Sequence, residues 1–323
     1  MKVTWRSWCL LTVLITQSTL AQVKPPVETR NAALRYWMAF AEMHDPPADR
    51  FTQELLEKVS IGQASWDEAK LGRILDSNAE AIRTMQRATT LPECDWGLEY
   101  SRGPRAPVAY LARARVMARL ATLQATREMA AGDSDLAVDH WLSGIRFAVH
   151  LAKGGTLIST LTGKNVLLPN LRMLTVEAKK GRLTEAQVKQ IVALVGALPQ
   201  DVFDWASAWE NEEIGIEAFL KELKTSKTPR AVYEASMGEA MPEEAVALSS
   251  EHLNVFRDYM AAAKTALKFP PDAAQKRLTA VETQRQALSE LAQRITPSPK
   301  KVNESRSEVV AARKVLLEAL GAK

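Results

Sequence analysis

Apolar residues recur along this chain at intervals of three and four, and alternation with a period of two is almost absent. A helix brings residues i, i+3, i+4 and i+7 onto one face, whereas a strand needs every second residue. The chain can therefore bury its apolar side chains only as helices. Val202, Trp205, Trp209, Ile216 and Leu220 show the pattern. The positions between are filled by Ala, Leu, Glu, Lys, Arg and Gln, the residues that lose least on entering a helix. Helix starts follow from capping chemistry. Ser65-x-x-Glu68, Thr184-x-x-Gln187, Asp272-x-x-Gln275 and Ser305-x-x-Glu308 each offer two side chains that satisfy orphan amides reciprocally. Thr228-Pro229 and Pro242-Glu243-Glu244 place proline at the first helical position, the latter with acids at the positive helix end. These signals predict helices over 28–43, 50–59, 66–88, 107–131, 134–152, 156–179, 185–197, 202–224, 229–238, 242–268, 273–294 and 304–320. The fold class is all-α, an array of antiparallel helical hairpins.

The best-specified unit is the hairpin 107–152. After Pro107, Ala114, Ala118, Ala121 and Ala125 form a narrow small-residue face that lets a neighbouring helix approach closely. Gly132 suits the left-handed position after a helix, and Asp133 caps the next one, whose Ala137, Trp141, Ile145, Ala148 and Ala152 return along one stripe. The run from Gly132-Asp133 through Ala137 and Trp141 to Gly144 resembles the second half of a tetratricopeptide repeat, and the segment 181–186 echoes its turn. Gly132 and Gly181 stand 49 residues apart, against roughly 34 in that repeat, so the expectation is a repeat-like element and not a true repeat array.

A wider resemblance surrounds this hairpin. Cys94-Asp95-Trp96-Gly97, then Ala114-Arg115 and Ala118-Arg119-Leu120, then Gly132-Asp133, then His150-Leu151 and Gly154-Gly155-Thr156-Leu157-Ile158-Ser159 follow in an order similar to a group of uncharacterised exported all-helical bacterial proteins. The resemblance covers 90–165, about a quarter of the chain. It implies an exported helical fold and carries no established activity, so no functional residues come with it.

The first residues point the same way. Lys2 and Arg6, the apolar run Cys9–Ile15 and the small-residue site Thr19-Leu20-Ala21 read as a secretory signal peptide over 1–21. The apolar run is far shorter than the roughly 20 residues a spanning helix needs. A periplasmic or secreted protein with no integral membrane span after cleavage is expected. Of the net charge of +4, Lys2 and Arg6 carry two, which leaves +2. Nucleic-acid partners call for a concentrated basic surplus and are not expected. Cys94 is then the only cysteine, so no intramolecular disulfide holds the fold. Four histidines in no ligand spacing give no reason to expect a metal or cofactor. The remaining chain divides into a helical-hairpin domain, 22–269, and a C-terminal helical tail, 270–323. In the tail Leu278, Val281, Leu288, Leu291 and Ile295 offer a stripe to dock on the body or on a partner, and the Pro/Ser/Lys run 296–301 reads as an exposed linker.

Three constellations bear on function. The connection from Leu91 to Pro107 carries Asp95, Trp96, Tyr100 and Arg102, which form either a binding lip anchored by the aromatics or a packed loop with Trp96 in the core. Cys94 lacks a neighbouring histidine or helix end to activate it as a nucleophile. Glu210, Glu213 and Glu217 share one edge of their helix, either as an acid–base cluster or as a solvated flank paired with Lys221. His252 lies at the centre of the stripe Leu248, Val255, Phe256, Tyr259 and Ala263, as a buried base or a satisfied core histidine. Asp139, Ser143 and His150 fail as a triad, because seven residues of helix separate Ser143 from His150 by about 10 Å. Gly155 to Lys164 lacks phosphate-loop spacing, and Asp133, Asp135 and Asp139 lack the glycine and glutamate of a calcium loop. The expectation is an interaction or scaffold protein that binds a protein or peptide partner along a helical surface edged by the 90–106 loop. The alternatives are a hydrolase-like enzyme using Glu210, Glu213 and Glu217 with His252, and a self-associating structural component.

Overall fold

A computed structural model describes residues 29–105, 108–241 and 249–322. The expected leader and the expected helix start at 242 lie outside them. Among the described residues there are helices and no strands, with one isolated backbone bridge between Asn31 and Glu93. The chain is all-α. No described helix is long and apolar enough to cross a membrane.

The N-terminal helices are α1 (Ala32–Glu42), α2 (Arg50–Ser60), α3 (Glu68–Asp76) and α4 (Ala79–Thr89). The predicted single helix over 66–88 is thus two. Asn78 breaks it: its Nδ2 donates to Ile74 O at 2.8 Å and its Oδ1 accepts from His44 N at 2.8 Å, a side chain competing with the helical backbone for its partners. The start differs too. Asp67 caps α3 by accepting from Lys70 N, and Glu68 bonds instead to the Trp66 indole and to Arg127, so the box from Ser65 does not form.

The hairpin follows the sequence closely. Helices α5 (Tyr110–Ala131) and α6 (Ser134–Ala152) meet at Gly132, whose φ of 91° is the left-handed turn residue expected, and Asp133 caps α6 through Leu136 N. Ala114, Ala118, Ala121 and Ala125 are all buried. Helix α7 (Leu157–Lys179) packs on both and opens with a box the sequence reading did not single out, Thr156 with Ser159. Helix α8 (Glu185–Ala197) starts with the expected Thr184–Gln187 box.

Helices α9 (Trp205–Thr225), α10 (Pro229–Met237) and α11 (Ser250–Leu267) form the second half. Proline opens α10 as predicted. The tail comprises α12 (Pro271–Gln284), α13 (Glu290–Ile295) and α14 (Pro299–Ala319), and it docks on the body, α14 lying against α7. The run 296–301 is no exposed linker. Thr296 and Pro299 are buried, and Ser298 caps α14. Ser305 therefore sits inside a helix and bonds to Lys164, while Asp272 lies in the first turn of α12 behind Pro271. Neither starts a helix. Arg306 is buried and reaches Leu267 O at 3.0 Å and the Asp201 carboxylate. Arg313 covers three carbonyls at the end of α8, Val195, Gly196 and Leu198.

Candidate functional site

The motifs of the 90–165 region converge on one place, the loop between α6 and α7. Cys94 Sγ and Trp96 Nε1 both donate to His150 O, the indole at 2.8 Å. Tyr100 OH donates to Gly154 O at 3.0 Å, and Asn211 Nδ2 of α9 donates to Gly155 O at 2.9 Å. These bonds hold the start of α7 against the turn of helix over Tyr100–Arg105. That turn lies directly on α9 because of two glycines. Gly103 has φ 55°, and a methyl group there would stand 2.5 Å from Gly215 O.

The aromatics of the loop part company. Trp96 is only 8% exposed. It stacks on Tyr110 at 4.1 Å between ring centroids and on Tyr36 at 5.7 Å. It is a core residue, so of the two readings of the loop the packed one holds for Trp96 and the binding-lip anchor does not: the indole finds apolar partners and a carbonyl for its N–H, which satisfies both ends of the side chain inside. Asp95 is exposed and accepts from Gly97 N at 2.8 Å, a turn-forming role, while Arg102 is exposed beside Glu99 at 3.7 Å. Tyr100 lines a cavity. Burial pushes the Cys94 thiol up to about 12, the opposite of activation.

That cavity measures about 230 Å³ and lies between the Tyr100 turn, the start of α7 and α9. Val108, Ile158, Ile216, Met237 and Ile295 give it apolar walls, and Tyr100, Thr156, Asn211 and Glu212 supply polar groups. Burial raises the Glu212 carboxyl above its usual range, opposed by the Leu157 amide at the head of α7. Among the described residues no cation stands within ion-pair distance of it. Burial also raises the Tyr100 hydroxyl. Glu212, Asn211 and the glycine pair were missed in the sequence, although Glu212 had a signal. It stands three residues after Trp209 and four before Ile216, on the apolar stripe itself, where a lone carboxyl costs desolvation.

The acidic edge is a ladder of ion pairs. Glu217 bonds to Arg257 at 2.7 Å and also to Lys221, and Glu210 pairs with Lys264 at 2.5 Å. The Arg257 hydrogen bond holds the Glu217 carboxyl low, and burial raises that of Glu213 against the pull of Lys264. His252 is not among them. It is half-buried in the first turn of α11, where its Nδ1 accepts from Ser249 N at 3.2 Å and Ser249 Oγ accepts from His252 N at 3.1 Å. Helix α11 begins only at Ser250, so a residue placed by spacing in mid-helix caps its end instead. The ladder sets Glu213 opposite about residue 260, which puts His252 about 12 Å away along the axis. The structure does not bring the proposed base to the carboxylates.

The histidines that are buried lie elsewhere. His150 Nδ1 is 2.7 Å from Tyr36 OH and His140 Nδ1 is 2.8 Å from Gln86 Nε2. Burial depresses both to about 4, reinforced at His150 by Lys153 and Arg146. Both are neutral structural groups at pH 7. No protein-family model matches the chain, and no curated protein or solved structure is significantly similar to it.

Proposed function

We propose that this chain is an exported helical binding protein that takes a basic side chain of a protein or peptide partner into the cavity edged by Tyr100, and that it belongs with the exported helical group its 90–165 motifs resemble. The observation that carries the reading is Glu212. A carboxyl held among apolar walls, with the Leu157 amide as a partner and no cation beside it among the described residues, is an incomplete ion pair, and a charge left this way is costly. A lysine completes it. The methylene stem has Val108, Ile158, Met237 and Ile295 to lie along, and the ammonium meets the carboxylate. The cavity volume is that of one long side chain rather than of a folded surface. The 90–106 loop then acts as an edge through Tyr100 and Gly103, while Trp96 supports it from inside.

The test uses N-acetyl-lysine-N-methylamide and its norleucine counterpart, which keeps the stem and lacks the ammonium. Both are titrated into 15N-labelled protein. The lysine probe is expected to shift the amides of Tyr100, Gly155–Ile158 and Asn211–Ile216 and to bind at least tenfold more tightly than norleucine, a difference that Glu212→Gln removes. Equal binding of the two probes, or shifts confined to other residues, sinks the proposal.

A further inference from the structure

A second cavity, of about 400 Å³, opens on the opposite kind of charge. It lies between α2, α5 and α7 and is lined by Glu57, Ser60, Arg115, Arg119, Asn165 and Pro169, with Ala118, Thr122 and Val166 beneath. Its two arginines stand four residues apart on α5 and so share a face. They differ from the other arginines of that helix. Arg113 is tied to Asp45 at 2.8 Å and to two carbonyls, and Arg127 is tied to Glu68 and Asp76. Among the described residues Arg115 and Arg119 have neutral partners, Thr162 Oγ1 at 3.3 Å and Gln53 Oε1 at 2.8 Å. Each guanidinium carries five N–H groups, so most of their donors remain unused by any described carboxylate.

The third element is Pro169, which sits inside α7. Proline has no amide hydrogen, so the carbonyl of Asn165 four residues earlier receives no helical bond from it. Asn165 and Pro169 both line the cavity. The site thus combines two guanidiniums, the residue Asn165 whose carbonyl gains no helical bond from Pro169, and the exposed carboxylate of Glu57 at the rim. The lining carries two positive charges and one negative, which matches a monoanion. A phosphate dianion would leave the site net negative.

We infer that this cleft binds a carboxylate that has an N–H group beside it, the carboxylate on Arg115 and Arg119 and the N–H on Asn165 O. Arginine forks bind carboxylates in two parallel hydrogen bonds. The C-terminus of a peptide presents this chemistry with one negative charge, and a free α-amino acid presents the same pair of groups as a zwitterion. The inference is independent of the Glu212 cavity, which borders the start of α7 but shares no lining residue with this cleft.

Calorimetry and amide shifts decide it, with four probes: N-acetyl-alanyl-alanine, its C-terminal amide, free alanine and inorganic phosphate. The acid is expected to shift the amides of 57–60, 115–122 and 165–170 and to bind at least tenfold more tightly than its amide, since losing a charge-assisted pair costs about that factor or more. Tighter binding of the dipeptide assigns a peptide C-terminus, and tighter binding of alanine assigns a free amino acid. Arg115→Gln, on an exposed side chain, and Arg119→Gln are each expected to weaken the better ligand about tenfold with the circular dichroism unchanged. If Arg119→Gln unfolds the protein, Arg115→Gln alone carries the test. Equal affinity for acid and amide, tighter binding of phosphate than of either carboxylate, unchanged affinity in Arg115→Gln, or no shifts at tens of millimolar probe overturns the inference.

Discussion

Acidification from pH 7 to pH 5 should destabilise the fold through two buried histidines. His140 and His150 titrate at about 4 in the folded chain, against about 6.5 when unfolded. Between these values the unfolded chain holds a proton on each ring and the folded chain does not, so stability rises with pH across this window and is fully present above 6.5. At pH 5 each ring has lost about 1.5 units' worth, about 2 kcal/mol, and the pair about 4 kcal/mol. Urea unfolding followed by circular dichroism at pH 7, 6 and 5 measures the slope. His150→Gln keeps an oxygen to accept from Tyr36 OH and removes the titrating group, so its stability should fall only about half as steeply. Other groups also titrate. Glu212, raised by burial, works in the opposite direction, gaining stability as pH falls through its folded value. The comparison of wild type with variant at each pH cancels such terms. Identical slopes for the two proteins would refute the argument, because they would mean that His150 is protonated as readily inside as outside.

Trp96→Ala should cost about 3–5 kcal/mol, the usual loss for emptying a buried aromatic site, read as a lower urea midpoint. An unchanged midpoint would return the indole to the surface. Gly103→Ala should cost about 1–3 kcal/mol for a side chain at positive φ, and more if its methyl cannot escape Gly215 O. It should also abolish binding of the lysine probe by lifting the Tyr100 turn off α9, and retention of that binding with normal stability would contradict the contact described.

What the sequence made legible was whatever depends on near neighbours. The turn at Gly132-Asp133, the cap at Thr184 and the start at Pro229 each need only a few consecutive residues, and all three stand where the pattern put them. Local signals failed where two compete. Ser298 and Ser305 are equally good caps in isolation, and the buried Pro299 favours the first. Asp67 displaces Ser65 because Glu68 is drawn away to Arg127, a residue 59 positions distant. Apart from Tyr110, which follows the loop, the partners of Trp96 are likewise remote, Tyr36 on α1 and His150 at the end of α6, so a window around the loop shows only part of what holds its ring. Of the candidate site, Tyr100 was legible as an aromatic in a long connection. Glu212 was legible too, from its place on an apolar stripe, but its neighbours Glu210 and Glu213 drew attention to the exposed edge instead.

Arg306 and Arg313 give the order of synthesis a structural meaning. The carbonyls that end α8 and the carboxylate of Asp201 are made in the middle of the chain, yet the guanidiniums that satisfy them arrive more than a hundred residues later. A chain emerging from its N-terminus therefore carries these groups open to water until α14 is free to lie down across α7. Closure waits for that helix, and a protein cut short before it would be unfinished rather than merely smaller.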